Sequence, residues 1–305
     1  MATGSNHNQQ QAPDSLAFAQ FVDPKVNIAF ASQYHLTLRL LPEGLAFSIT
    51  DHSQRRVLSL ESHHYEPERT ENHSFGSTCY LDWLKSITSK NQYLNVKYSS
   101  VTILTGGIKY TLIPPPLFDP ESRDLLLQFN HPLLYEDRVF HDLLRLPSLY
   151  VVYALTSPID QWINEFFPVR KRMHVLSALI CTLHSRSRSE KKLDQVYVNV
   201  QNKIFDVLLF RNGTLYYCNS FPYQSSNDLI YYLLFVIEQL QVNNEQLLFY
   251  MMGRVSKDDE IFDMLRSYIN SPEIIPENTQ LQYSPVIDSS ALPCFYDLLN
   301  ASTCG

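Results

Sequence analysis

Two stretches of this chain carry the same pattern, and that repetition limits the folds open to it more than any other feature. Residues 34–62 contain HLTLRLL, LAFSITD and RVLSLES, separated by the tight turn PEG and the polar turn HSQR. Residues 195–218 repeat the pattern as QVYVNV, IFDVLLF and TLYYC, separated by QNK and RNG. Apolar residues at every second position specify paired strands, so each stretch predicts a three-strand meander. Each is followed by a polar helix start, an apolar helix and a further apolar strand. In the first, Ser77 or Thr78 caps a helix through Tyr80, Leu81, Leu84 and Ile87; in the second, Ser225-Ser226-Asn227 caps a helix over 228–241, and LLFYMMG follows. An offset of roughly 150–160 residues between the two predicts related lobes. A cleft between such lobes is where a ligand is sought.

The segments between and after the triples fill out the plan. VTILTGGIKYTLIP reads as a strand, a turn at Gly106-Gly107 and a second strand, stopped at Pro114–Pro116 because proline cannot donate to a ladder. PLFDPESRDLLLQF predicts a helix capped at Asp119 with Pro120 in its first position. DRVFHDLLR and LYVVYALT predict two strands joined around Pro147. Residues 158–186 read as helical: Ile159, Trp162, Ile163 and Phe166, an interruption at Pro168, then Met173, Leu176, Leu179, Ile180 and Leu183. RSRSEKK is a charged linker. DDEIFDMLRSYI predicts a helix with acids in its first turn, and LQYSPVI a last strand. The chain thus divides into a disordered polar tail over 1–25, a first lobe over 26–157, helices and a linker over 158–192, and a second lobe over 193–305.

Composition narrows the function. The 24 basic residues are outnumbered by 31 acidic ones, a net charge of −7, which argues against a dedicated nucleic-acid binder or docking on an anionic membrane. No apolar run reaches the roughly 18–20 residues that span a bilayer, and MATGSNHNQQQAPDS has neither the basic nor the apolar region of a secretory signal. Five widely spaced cysteines suggest neither a disulfide framework nor a metal knuckle, and a cytoplasmic location is expected. Only 8 glycines occur, which weighs against glycine-built phosphate loops.

Strand-strand-strand-helix-strand-helix, met twice, is the element order of the actin-like ATPase (ribonuclease H-like) superfold. The stretches LTLRLLPEGLAFSITD, KYTLIPPPLFD, LYVVYAL, LLFRNGTLYYCNSFPYQSSNDLIYYLLFVIEQL and LPCFYDLL resemble an uncharacterised Bacteroidetes family, a domain of unknown function. The resemblance implies an α/β protein with a duplicated actin-like fold, two lobes each holding a mixed sheet flanked by helices. It brings no established activity. Assembly components of pilus and type II secretion machines share the superfold, and some of them act as scaffolds; that analogy is at the level of fold.

The resemblance also says where to look for nucleotide chemistry. In this superfold an Asp- and Gly-rich hairpin turn of each lobe faces the phosphates: its carboxylate orients Mg²⁺ or water, and its N–H groups bind phosphate oxygens. Here the first hairpin is Leu41-Pro42-Glu43-Gly44, where Glu43 offers a carboxylate but Pro42 removes a donor. The second is Gln201-Asn202-Lys203, with no carboxylate and no glycine, and Lys203 as the one point charge. Met252-Gly253-Arg254 stands where a paired-glycine turn contacts adenosine. The cleft candidates are therefore Glu43, Gly44, Asn202, Lys203, Gly253 and Arg254, set against the alternative that all six are ordinary turn residues.

No catalytic residue and no metal-ligand set is identified. His63-His64, with His52 and His73 near in sequence, cannot both join one site, because neighbours on a strand face opposite sides. Cys294 and Cys304 read as thiols. Arg170-Lys171-Arg172, His174, Arg186, Arg188, Lys191 and Lys192 are either a solvated basic face or a contact for an acidic partner. The helix holding Tyr231, Tyr232, Leu233, Leu234, Phe235 and Ile237 is apolar around most of its circumference, which predicts burial on several sides or an aromatic patch for a partner. Together these features favour a non-catalytic binding or scaffold protein with a protein partner and no established cofactor. The alternative is a divergent ATP binder or ATPase that uses magnesium.

Overall fold

A computed structural model of the chain describes residues 19–66, 75–168, 170–189 and 193–304. The first triple forms β2 (Tyr34–Leu41), β3 (Gly44–Asp51) and β4 (Arg56–His64), each antiparallel to the next. Helix α1 (Thr78–Lys90) then leads to β5 (Ser100–Thr105), which lies parallel to β2. Alternation fixes the faces: Leu36, Leu38 and Leu40 of β2, with Leu45, Phe47 and Ile49 of β3, pack against α1 and against Ile159, Trp162 and Ile163 of α3 (Ser157–Phe166). In β4 a bulge lets Ile49 pair with Ser59 and Thr50 with Val57. The extra residue, Leu58, joins the α1/α3 face, while Val57 and Leu60 join the opposite one.

The second triple repeats the arrangement. Strands β10 (Asp194–Val200), β11 (Ile204–Arg211) and β12 (Thr214–Pro222) form an antiparallel meander. Helix α5 (Ser226–Gln239) leads to β13 (Leu247–Gly253), parallel to β10. Ser225 caps α5 in a capping box with Asp228, as the Ser-Ser-Asn-Asp run predicts. The strand order β12-β11-β10-β13 matches β4-β3-β2-β5 in direction and sequence. A third sheet, β6-β8-β7, consists of β6 (Tyr110–Ile113), β7 (Asp137–Leu144) and β8 (Leu149–Thr156), with α2 (Arg123–Gln128) preceding β7.

Helix α4 (Val175–Ser187) sits where the three sheets meet. Its Leu176, Ala178, Leu179, Ile180 and Leu183 pack with Leu104 of β5, Tyr153 of β8 and Tyr197, Leu208 and Met252 of the C-terminal sheet. A helix apolar on most sides is one buried on most sides.

Several expectations need correction. Residues 158–186 are not continuously helical: β9 (Lys171–His174) adds to the sheet parallel to β5, so Met173 is a strand residue. The edge of β5 offered ladder hydrogen bonds, and these override helical spacing. The strands around Gly106-Gly107 belong to different sheets, because β5 is already paired on both sides by β2 and β9. Gln20–Val22, placed in the polar tail, form an edge strand, β1, on β4, and Ala19 is buried beside them. Residues 1–18 and 190–192, and His73, lie outside the described residues. Helix α6 (Glu260–Leu265) is shorter than predicted, though its acids do occupy the first turn. Beside β13 runs β14 (Glu273–Ile274).

The predicted last strand, β15 (Gln282–Tyr283), pairs with β4 rather than with the C-terminal sheet. Beyond it, Leu292, Phe295, Leu298 and Leu299, on a 3₁₀ segment and α7 (Tyr296–Asn300), cover Ala46, Val57 and Leu60. The chain therefore returns to its first sheet. On α5, Leu229, Ile230, Leu233, Val236 and Ile237 are buried, whereas Tyr231 and Phe235 are 66% and 50% exposed, so this helix has a solvent face after all.

Candidate functional site

A small cleft of about 50 Å³ opens between the N- and C-terminal sheets. Its N-terminal wall is the end of β2, the β2–β3 turn and the end of β4; its C-terminal wall is the end of β10 and the residues after β13. Four sequence candidates line it: Glu43, Gly44, Gly253 and Arg254. Asn202 and Lys203 are exposed in the β10–β11 turn and do not line it, although their neighbours Asn199, Val200 and Gln201 do.

The turns are held by the protein itself. The Tyr80 hydroxyl donates to the Leu41 carbonyl at 2.8 Å and approaches that of Gly44 at 3.4 Å, which fixes the β2–β3 turn from below. Burial, with Glu43 and Tyr65 nearby, raises the Tyr80 pKa well above its ordinary value, so it stays a donor. Gly44 is required by close approach: a Cβ there would lie 2.2 Å from the His63 carbonyl oxygen. Gly253 has φ +87°, and a Cβ would lie 2.1 Å from the Val200 carbonyl oxygen, which also accepts the Arg254 N–H at 2.7 Å. Both glycines thus have sufficient backbone reasons to be glycine.

The residues that sequence reading missed dominate the electrostatics. Arg39, from the middle of β2, donates to Asp297 of α7 at 2.6 Å and to the Cys294 carbonyl at 3.3 Å, and its guanidinium lies 5.2 Å from the Phe295 ring. Burial opposes the Arg39 charge, but Asp297, Cys294 and Glu43 together outweigh it and hold its pKa above the ordinary value. Asp206 of β11 accepts from Ser220 Oγ at 2.5 Å, Asn199 Nδ2 at 2.9 Å and Gln201 Nε2 at 3.4 Å. Burial pushes its carboxyl up to about 6 against those hydrogen bonds, with Asp297 and Glu43 adding to the push. Asp206 also borders a second hollow of about 20 Å³, shared with Pro42, Glu43, Gly106 and His174. Burial lowers the His174 pKa to about 4, so that imidazole is neutral. One signal could have found these groups: Arg39, Asn199 and Asp206 are lone polar residues interrupting apolar strands.

Glu43 makes no side-chain hydrogen bond or ion pair among the described residues, and Arg254 makes no ion pair. Among those residues no three His, Cys, Asp or Glu converge as a metal site would require. No described helix is long and apolar enough to cross a membrane. The basic residues are spread out: Arg172 pairs with Asp160 and lies over the Phe140 ring, and Arg186 lies over Tyr250. Around α2, by contrast, Leu117, Leu125, Phe129, Leu134 and Tyr135 are all strongly exposed, Phe129 at 86%.

The chain belongs to a family described as protein of unknown function (DUF3822), whose sequence profile matches residues 23–271. No curated protein matches it. Among solved structures it is similar to a Bacteroides thetaiotaomicron protein described as having an actin-like ATPase fold and unknown function. The identity is 24%, the TM-score 0.72, and the match covers 82% of this chain and 93% of that one. It is also similar to a chain of the PilM–PilN type IV pilus biogenesis complex, at 12% identity and a TM-score of 0.58, over 88% of this chain and 98% of that one. These likenesses establish the actin-like ATPase fold that the element order implied.

Proposed function

We propose that the protein is a non-catalytic binding or scaffold protein that uses an actin-like fold to hold a partner. The observation that supports this reading is the state of the carboxylates around the cleft. Asp206 is occupied by three neutral donors, and Asp297 by Arg39 and the Leu298 N–H. Asp142, on the neighbouring sheet, accepts from the His174 N–H and Ser177 Oγ. Among the described residues around the cleft, Glu43 is the one uncommitted carboxylate. Phosphoryl transfer needs carboxylates free to orient Mg²⁺ and water, and turns that aim several N–H groups at the phosphates. Pro42 supplies no donor, and Lys203 points a charge from outside the cavity wall. The residues present therefore do not fit a magnesium triphosphate.

A protein partner is supported by the exposed apolar side chains around α2, which stand out on an acidic surface. A cytoplasmic setting is supported by Cys181, Cys218 and Cys294, which remain thiols. The alternative reading, ATP with magnesium, is favoured by one feature, the uncommitted Arg254 in the cleft.

Calorimetric titration of the full chain with ATP–Mg²⁺ and with ADP, alongside a phosphate-release assay, tests the proposal. The expected result is no saturable heat at millimolar nucleotide and no turnover. Saturable binding with turnover, abolished in Glu43→Gln, would overturn it.

A further inference from the structure

Two sheet edges border an apolar groove. In the β6-β8-β7 sheet β6 is an outer strand, and in the C-terminal sheet β12 is one. The Ser220 hydroxyl donates to the Tyr110 hydroxyl at 3.0 Å and ties the two edges together at one place. Beside that tie lies a hollow of about 440 Å³, lined by residues 112–114, 147–149 and 214–218. Four of these, Leu112, Leu149, Leu215 and Cys218, are half-buried against the core around α4, so the hollow has an apolar base. An outer strand points every second N–H and C=O away from its sheet. Among the described residues, no backbone hydrogen bond beyond the ladders to β8 and β11 involves residues 112–113 or 214–218.

What satisfies such an edge is another strand. At the spacings of a packed sheet an extended residue takes about 160 Å³, so the hollow holds about three. The edges are unsuited to a long ladder with a second copy. β12 carries a bulge where Leu209 pairs with Tyr217 and Phe210 with Leu215, leaving Tyr216 unpaired, and Pro114 and Pro147 interrupt the opposite wall. Charge points to a different chain as well. No acidic residue lines the groove, and Arg145, exposed in the β7–β8 turn two residues before Pro147, makes no ion pair among the described residues. Neither β6 nor β12 contains an acid that a second copy could offer it. We propose that the groove docks a short extended segment of a partner protein as a strand added to β12, with apolar side chains at alternate positions facing the base and an acidic residue at the end beside Arg145. The proposal rests on the reading of the protein as one that holds a partner, and adds a second contact to the surface around α2.

Panning nine-residue random peptides displayed on phage against the immobilised full chain, then titrating the recovered peptides by fluorescence anisotropy, tests it. The enriched sequences should alternate β-branched or aromatic with polar residues, carry Asp or Glu at one end and lack a central proline. N-methylating the central amides in turn, which deletes a donor and keeps every side chain, should weaken binding about fivefold at every second position. Arg145→Glu, at an exposed and unpaired side chain, should weaken acid-ended peptides about threefold and strengthen the same peptides ended in lysine by as much. No enrichment over an unrelated protein overturns the inference, as do peptides indifferent to both N-methylation and Arg145→Glu. Peptides lost on Phe129→Ser instead dock at α2, which overturns the groove and leaves the scaffold proposal standing. A dimer at micromolar concentration in sedimentation, dissociated by Tyr216→Asp, makes a second copy the occupant and also overturns it. Nucleotide turnover would overturn the non-catalytic reading without altering the panning result, so the two fail separately.

Discussion

Removing Asp297 should do more damage than its position near the C-terminal end suggests. Its side chain is 3% exposed and that of its partner Arg39 is 14% exposed, with 2.6 Å between the charged atoms. At an effective dielectric constant near 20, two charges at such separations attract by about 4 kcal/mol, much of it offsetting the cost of taking both from water. Asp297→Ala removes the attraction and leaves the desolvation of Arg39 in place. Breaking one side of a buried pair costs about 3–5 kcal/mol. With a urea slope of about 3 kcal/mol/M, the unfolding midpoint should fall by about 1–1.7 M. Arg39→Met should cost a comparable amount by stranding the carboxylate. The double variant Arg39→Met/Asp297→Ala should recover most of the loss, because neither apolar replacement needs a partner. Urea unfolding of the four proteins, followed by tryptophan fluorescence (Trp162 is buried in the α1/α3 core), gives the coupling directly. If either single variant loses less than about 1 kcal/mol, or if the losses simply add, the pair is not what ties α7 to β2.

Three further outcomes follow from the same geometry. The Asp206 carboxyl, raised from 3.8 to about 6 mainly by burial, binds its proton more tightly in the folded state; its contribution is full below about pH 4 and is lost as pH rises through about 6, a span of about 3 kcal/mol. His174, lowered to about 4, contributes with the opposite sign over the same range, so the test is the difference between proteins in unfolding midpoints: stability of the parent relative to Asp206→Asn should fall as pH rises from about 4 to 6 and level off above it. Gly253→Ala places a methyl 2.1 Å from the Val200 carbonyl oxygen at φ +87°, and thermal melts should show a loss of about 2 kcal/mol or more. Phe129→Ser should change stability by less than about 0.5 kcal/mol, because the ring is 86% exposed, and any larger loss in a chemical melt would mean that the ring packs in solution.

The parts of this fold legible in the sequence are those whose physics is local. Alternation in HLTLRLL and IFDVLLF predicts strands with defined faces, and Ser225 with Asp228 marks a helix start, because these interactions span only a few residues. Four-residue β9 carries no strand signal, and β15, legible as a strand, gives no sign of its partner; each lies where it does because a distant strand edge was open to it. The site divides in the same way. Glu43, Gly44, Gly253 and Arg254 were visible as turn residues at strand ends, and the cavity is lined by all four. Arg39 and Asp297 are 258 positions apart, and nothing local to either announces the other. The solvent face of α5 was obscured because Tyr and Phe count as apolar in a pattern yet tolerate exposure when stacked, as Phe221, Tyr232 and Tyr231 are here.

The return of residues 281–299 to the first sheet has a consequence for synthesis. Ala46, Val57 and Leu60 leave the ribosome early, but the side chains that shelter them emerge about 220 residues later. At translation speeds of 5–20 residues per second, that half-finished layer waits roughly ten to forty seconds with a greasy flank uncovered. Newborn copies arrested short of residue 281 should therefore be the ones that chaperones hold.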